Sequence, residues 1–287
     1  MLPKVIRPVL QDDDFLADVM QARNDSEELH LWWLGQSGFL VRHENSFLLF
    51  DPYLSDSLTE KYAKTEKPHV RMAERVIEPD QLHGISVVTS SHNHTDHLDA
   101  ATLRPLLAAN PGAQFVIPEA NRAFVADRIE CEASWPIGLE DGRSVVVNGW
   151  QLTGVASAHN ERETDSAGRD RYLGYLVRRG PWTLYHSGDT LLYPGLADTL
   201  LEYAVDVAFL PINGNRPELR VAGNLDGGEA AQLAHDIGAR LVIPHHFDMF
   251  EFNTADPREL FIPECERLGQ PYLVLCVGES VALGAGE

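Results

Sequence analysis

Paired cysteines are missing from this chain. Its three, Cys131, Cys265 and Cys276, are odd in number and far apart, with no CxxC among them, so neither a disulfide framework nor a thiolate zinc site is indicated. Basic residues are scarce: 23 Lys and Arg stand against 43 Asp and Glu, a formal net charge of −20. That balance disfavours non-specific binding to nucleic acid or to an anionic membrane, and neither partner is expected. Long apolar runs are also lacking, for none approaches the ~18 residues of a membrane span. Asp12, Asp13 and Asp14 stand where a secretory signal would need an apolar stretch. A reducing cytoplasm is the expected location.

What is present reads as a globular protein. The 287 residues are 44% hydrophobic and 23% charged, ample for a sizeable core. Residues 1–28 read as an acidic helical lead-in with Phe15, Leu16, Val19 and Met20 facing inward, and residues 29–287 as one domain. Strand-like runs at 29–34, 39–43 and 46–50 are separated by Gly35-Gln36-Ser37-Gly38, a tight turn, and by a second short turn. Strand 85–89 then precedes a helix over 100–109 with Asp99 as its N-cap, strand 114–117 and helix 120–128. The second half repeats the mixture: strands at 144–147, 151–155, 173–177 and 183–186, helix 191–203, strand 205–210, helix 228–237, strand 240–243, helix 257–268 and strand 272–277. Antiparallel strands followed by αβ alternation, twice over, predict an α/β protein with two sheets between helical layers. Two segments read as long loops, 53–79 and 213–224. The first holds Lys61, Lys64, Lys67, Arg71 and Arg75, and the second holds Arg216 and Arg220. Loops of that length in a compact domain are often functional.

The densest chemistry lies at "SSHNHTDHLD", residues 90–99. His92, His94, Asp96 and His97 follow directly on strand 85–89. Residues two apart in an extended turn project to one side, so His92 and His94 can grip one ion, with Asp96 and His97 facing an adjacent position. Imidazole and carboxylate suit zinc and manganese and leave room for water.

His92-Asn93-His94-Thr95-Asp96-His97 resembles the HxHxDH signature of metallo-β-lactamase-fold hydrolases. "WLGQSGFLV", "LLFDPYLS", "YHSGDT" and "IPHHFDMF" resemble the L-ascorbate-6-phosphate lactonase-like branch, and the similarity runs from Trp33 to about Gly278. The resemblance implies an αββα sandwich of two mixed sheets and two divalent ions, zinc or manganese. It matches His159 in "ASAHNE" to the third histidine of the first ion and Asp189 in "YHSGDT" to an aspartate bridging both. The last ligand falls on His246; neighbours near a strand end point to opposite sides, so His245 would lie behind the ligands or face the substrate. His186 is open between a pocket role and core packing. Asp51 corresponds to an aspartate that orients ligands without binding.

Two ions roughly 3.5 Å apart can share a hydroxide, with Asp96 orienting it and passing a proton to the leaving alkoxide. The expected activity is therefore hydrolysis, foremost of a lactone ring in a small anionic, sugar-derived molecule that carries phosphate in some forms. Lys61, Arg71 and Arg216 are the expected anion contacts. A phosphodiesterase or nuclease is the alternative, disfavoured by the acidic balance; a non-catalytic metal-binding regulator is a third. Relatives of this branch imply a homo-oligomer. His30, His43, His69, His83 and His235 read as surface or loop residues.

Overall fold

The computed structural model describes residues 5–23 and 27–284. Its elements run α1 (Asp12–Ala22), β1 (Leu29–Gly35), β2 (Gly38–His43), β3 (Ser46–Phe50), α2 (Ser57–Tyr62), β4 (Ile85–Thr89), α3 (Ala100–Ala109), β5 (Gln114–Pro118), α4 (Arg122–Ile129) and β6 (Ile137–Leu139). They continue with β7 (Ser144–Val147), β8 (Trp150–Ala156), β9 (Leu173–Arg179), β10 (Trp182–His186), α5 (Leu196–Leu201), β11 (Val207–Pro211), α6 (Gly227–Asp236), β12 (Leu241–His245), α7 (Phe261–Leu268) and β13 (Ser280–Leu283).

The strands form two mixed sheets, ordered β13-β1-β2-β3-β4-β5-β6 and β12-β11-β10-β9-β8-β7. In the first, β13 through β3 are antiparallel and β3 through β6 parallel. In the second, β10, β11 and β12 are parallel and the rest antiparallel. Strands β3 and β11 are buried at every position, which explains their near-continuous apolar runs. The sheets meet face to face: Phe39 of β2 packs on Phe209 of β11 with centroids 4.4 Å apart, and Phe50 of β3 stacks on His186 of β10 at 4.7 Å. This is the αββα sandwich that the strand pattern predicted. No helix among the described residues is long and apolar enough to cross a membrane.

Several local expectations need correction. Met20 is 55% exposed, while Phe15, Val19 and Ala22 make the buried stripe of α1. Residues 1–4 and 24–26 of the lead-in lie outside the described residues. Helix 191–203 shrinks to α5, because Pro194 disfavours helix before it and Gly195 takes φ 93°. Residues 272–277 give one bridge, Tyr272 to Val242, rather than a strand. Their backbone serves other partners: the Val277 carbonyl accepts from Val9 and the next amide, Gly278, donates to Trp33. The chain then adds β13, unforeseen, beside β1. Residues 53–79 are not wholly loop, since they contain α2, tied to α3 by Asp99. That carboxylate accepts from Ser55 and Ser57 hydroxyls at 2.6 and 2.9 Å while capping α3 at the Thr102 amide, 3.0 Å.

Candidate metal centre

Six strand ends or turns converge at one edge of the sandwich. The β1–β2 turn brings Gln36, the end of β3 brings Asp51, and the segment after β4 brings residues 90–99. The ends of β8, β10 and β12 bring His159, Asp189 and His246. Open α/β sheets characteristically bind ligands beyond their strands' carboxyl ends. Local sequence permits the turns. Gly188 has φ 59°, and a Cβ there would come within 2.5 Å of the Ser91 Cβ, so only glycine lets the Asp189 turn lie against the His92 segment. Gln36, Asp51 and His246 also adopt left-handed backbone, φ 50°, 36° and 64°, a conformation that costs about 1–3 kcal/mol in non-glycine residues and concentrates at functional sites.

The seven residues anticipated as ligands come together in three overlapping groups: His92, His94 and His159; His92, His97 and Asp189; and Asp96, His97 and His246. Within each group the ligand atoms lie within 4.8 Å of one another. Asp189 sits at the centre. Its Oδ2 is 3.3 Å from His246 Nε2 and 3.5 Å from His159 Nε2, and its Oδ1 is 3.3 Å from His97 Nε2. Those spacings exceed ordinary N–H···O hydrogen bonds of about 2.7–3.2 Å. They match the roughly 3.3 Å edge of a tetrahedron whose ligands lie about 2.0–2.1 Å from a central ion. His92 Nε2, His97 Nε2 and Asp189 Oδ1 are buried with no hydrogen-bond partner among the described residues. Orphaned buried polar atoms of this kind call for a partner, and an imidazole–carboxylate set is a good donor set for a divalent ion.

Hydrogen bonds on the far side of the rings fix which nitrogen faces inward. His97 Nδ1–H donates to Asp51 Oδ2 at 2.8 Å, and His159 Nδ1–H donates to the Gly223 carbonyl at 2.8 Å. The Ser91 hydroxyl donates to Asp51, which leaves its oxygen to accept from His92 Nδ1–H at 3.0 Å. In all three rings the Nε2 lone pair is thus turned toward the cluster, the usual arrangement behind a metal-binding imidazole. Asp51 is fully buried and also accepts from the Ser91 amide and Thr89 hydroxyl.

The electrostatics follow from this packing. Burial pushes the Asp189 carboxyl upward, but His246 and His97 outweigh it and hold it well below the usual range. Asp51 is likewise lowered, burial being overcome by His97. Burial disfavours charge on His97 and His246, yet Asp189 and Asp96 raise both, His246 to about 9. His92 and His159 are lowered, chiefly by burial, His159 to about 4.

Above the cluster opens a cavity of about 590 Å³ lined by His94, Asp96, His159, Asp189 and His246. Its outer wall carries Tyr62, His69, Phe250 and Phe252, with His69 stacked on Tyr62 at 4.1 Å. Lys61, Arg128 and Arg220 line it as well. Arg128 is engaged with the Asn93 and Leu98 carbonyls; Lys61 and Arg220 have no carboxylate partner among the described residues. Of the expected substrate contacts only Lys61 reaches this cavity. Arg71 turns away, its guanidinium bonded to the Ala73 and Ser55 carbonyls at 2.6 Å, and Arg216 is bonded to the Thr254 carbonyl at 2.8 Å. His186 and His245 are both fully buried behind the cluster, stacked on each other at 5.0 Å. His186 spends both ring nitrogens on the Ser37 carbonyl and the Gly188 amide. Gln36, His69 and Tyr172 line the cavity without having been anticipated as site residues, whereas Arg220 belongs to the basic loop expected to draw an anion. The αL turn residue Gln36 sits in a two-residue hairpin loop, which hides its side chain's reach.

Residues 47–247 match the β-lactamase superfamily domain. A metal-dependent hydrolase of the UPF0173 family from Opitutus terrae is 31% identical over 254 residues, covering 88% of this chain and 99% of that one. A second UPF0173 metal-dependent hydrolase, from Methanosarcina mazei, is 26% identical over 89% of this chain and 99% of its own. Among solved structures, Igni18, a metallo hydrolase from Ignicoccus hospitalis, superposes with a TM-score of 0.65 at 22% identity, covering 90% of this chain and 99% of its own. The chain belongs to the UPF0173 family of metal-dependent hydrolases within the metallo-β-lactamase superfamily.

Proposed function

We propose that this hydrolase opens the ring of a small anionic, sugar-derived cyclic ester, a lactonase reaction, using two divalent ions, zinc or manganese. The observation that carries the reading is Asp189, whose carboxylate is within 3.5 Å of histidines from both groups: His159 and His246 at Oδ2 and His97 at Oδ1. His92, His94 and His159 would hold one ion, Asp96, His97 and His246 the other, and Asp189 both. Bound divalent ions supply Lewis acidity toward the ester carbonyl and lower the pKa of water to about 7.

The chain's own side chains do the rest. Asp96 lies at the cavity floor and takes the proton of the attacking water. As the new C–O bond forms and the ring C–O bond breaks, it returns that proton to the departing alkoxide. Lys61 and Arg220, which have no carboxylate partner among the described residues of a chain of net charge −20, draw an anionic group to the cavity. A cavity of about 590 Å³ suits a small molecule.

A panel of phosphorylated and unphosphorylated sugar lactones, with bis(p-nitrophenyl) phosphate beside them, tests the reading in zinc- and manganese-loaded protein. Higher kcat/KM on the anionic lactones is expected. Equal turnover with and without phosphate would remove the phosphate contact; a phosphodiester outpacing every lactone would replace the lactonase by a phosphodiesterase.

A further inference from the structure

We infer that Gln36 is a positioning residue for the second ion cluster, holding the Asp96 carboxylate by its amide nitrogen and presenting its amide oxygen to a donor at the cavity floor. This rests on the two-ion reading above. Gln36 is 1% exposed and nonetheless lines the cavity. Its Nε2 donates to Asp96 Oδ2 at 2.8 Å and lies 3.0 Å from His246 Nε2. The contact with a carboxylate fixes the amide's orientation, because the opposite one would set oxygen against oxygen.

Two further features show that this side chain is built into place. Its backbone carbonyl accepts from both Trp33 Nε1 at 3.1 Å and the His246 amide at 3.0 Å, so the turn is locked to two neighbours, one of them carrying a cluster histidine. And its Oε1 is buried with no hydrogen-bond partner among the described residues. A buried amide oxygen left alone is costly, and the cavity floor is where a donor, a water or a substrate hydroxyl, can satisfy it. The oxygen that Gln36 holds, Asp96 Oδ2, is also the one that faces the cluster, 3.6 Å from His246 Nε2 and 3.7 Å from His97 Nε2. Groups that orient ligands from behind typically change metal affinity 10–100-fold when removed.

The test is a stepwise calorimetric titration of the metal-free full chain with Mn²⁺, repeated with Co²⁺ followed by its visible d–d absorption. Gln36→Met keeps the volume and removes both hydrogen bonds. Gln36→Asn keeps the amide but is one methylene short, and serves if the first variant does not fold. Each variant is expected to weaken the second binding step at least tenfold, leave the first within twofold, and shift the Co²⁺ spectrum of the second site only. Three results would overturn the inference: both steps unchanged, both weakened alike, or the second step tightened. Wild-type protein that takes up fewer than two ions would instead overturn the two-ion reading on which it stands.

Discussion

Asp51 and His97, 46 positions apart in sequence, are joined by a 2.8 Å hydrogen bond from the ring Nδ1–H to the carboxylate Oδ2. Both side chains are fully buried, so the bond sets the tautomer that turns Nε2 toward Asp189. Asp51→Asn should leave the shape intact and loosen that orientation. Ion affinity, measured by competition with a chromogenic chelator, is expected to fall about 10–100-fold. Unchanged affinity would reduce Asp51 to a support of the fold.

His245 and His246 are neighbours with opposite surroundings. His246→Ala should lower the ion content by one per chain and abolish most activity, because it faces Asp189 and Asp96. For His245→Ala, elemental analysis should return the wild-type ion content. That variant instead leaves a hole against Phe39 and His186, costing about 2–4 kcal/mol in urea unfolding. The reverse pattern would exchange their roles.

Four cations of the segments 53–79 and 213–224 separate into two pairs. Lys61→Ala and Arg220→Ala should each raise KM for an anionic substrate about tenfold with kcat little changed, as expected when binding is lost equally from ground and transition states. Arg216→Ala should leave KM within twofold, since its guanidinium serves Thr254. Arg71→Ala is expected to lower stability rather than affinity, because it crosslinks Ser55 and Ala73. Equal effects from all four would mean that charge acts at long range without a defined anion seat.

Tyr53 supplies a pH prediction. Its hydroxyl accepts from the Leu58 amide at 3.0 Å, anchoring α2, and burial pushes its pKa from 10.0 to about 12. Below pH 10 the phenol is protonated in folded and unfolded chains alike. Between pH 10 and about 12 the unfolded phenol ionises first, so stability falls as pH rises, by about 1.4 kcal/mol per unit at most. Tyr53→Phe should be about 1 kcal/mol less stable at pH 8, with that gap closing at about pH 11 and reversing toward pH 12 in denaturant titrations. A gap independent of pH would show that Tyr53 ionises as readily folded as unfolded.

Much of the fold was legible because its strands are short apolar runs bounded by turn residues, and strands β1 to β4 together with α3 fall close to their predicted positions. The histidine-rich segment after β4 stood out for the same reason: polar, chemically specific residues directly at a strand's end. What local pattern could not show was which loop residues face inward. Arg216 and Arg220 share one loop, yet the left-handed turn at Arg220, φ 51°, sends only the latter to the cavity. The place of His69 in the cavity wall was hidden because two of its aromatic neighbours, Phe250 and Phe252, lie some 180 positions further along. Residues 272–277 read like a strand yet pair at a single bridge, Tyr272 to Val242.

The cluster draws His92, His94, Asp96 and His97 from one sheet's strand ends and His159, Asp189 and His246 from the other's. Cations seated among them would act as a clasp across the seam of the sandwich. Emptying the site would then do more than silence chemistry: it would let the two halves breathe apart at that edge, and hydrogen exchange should quicken there first.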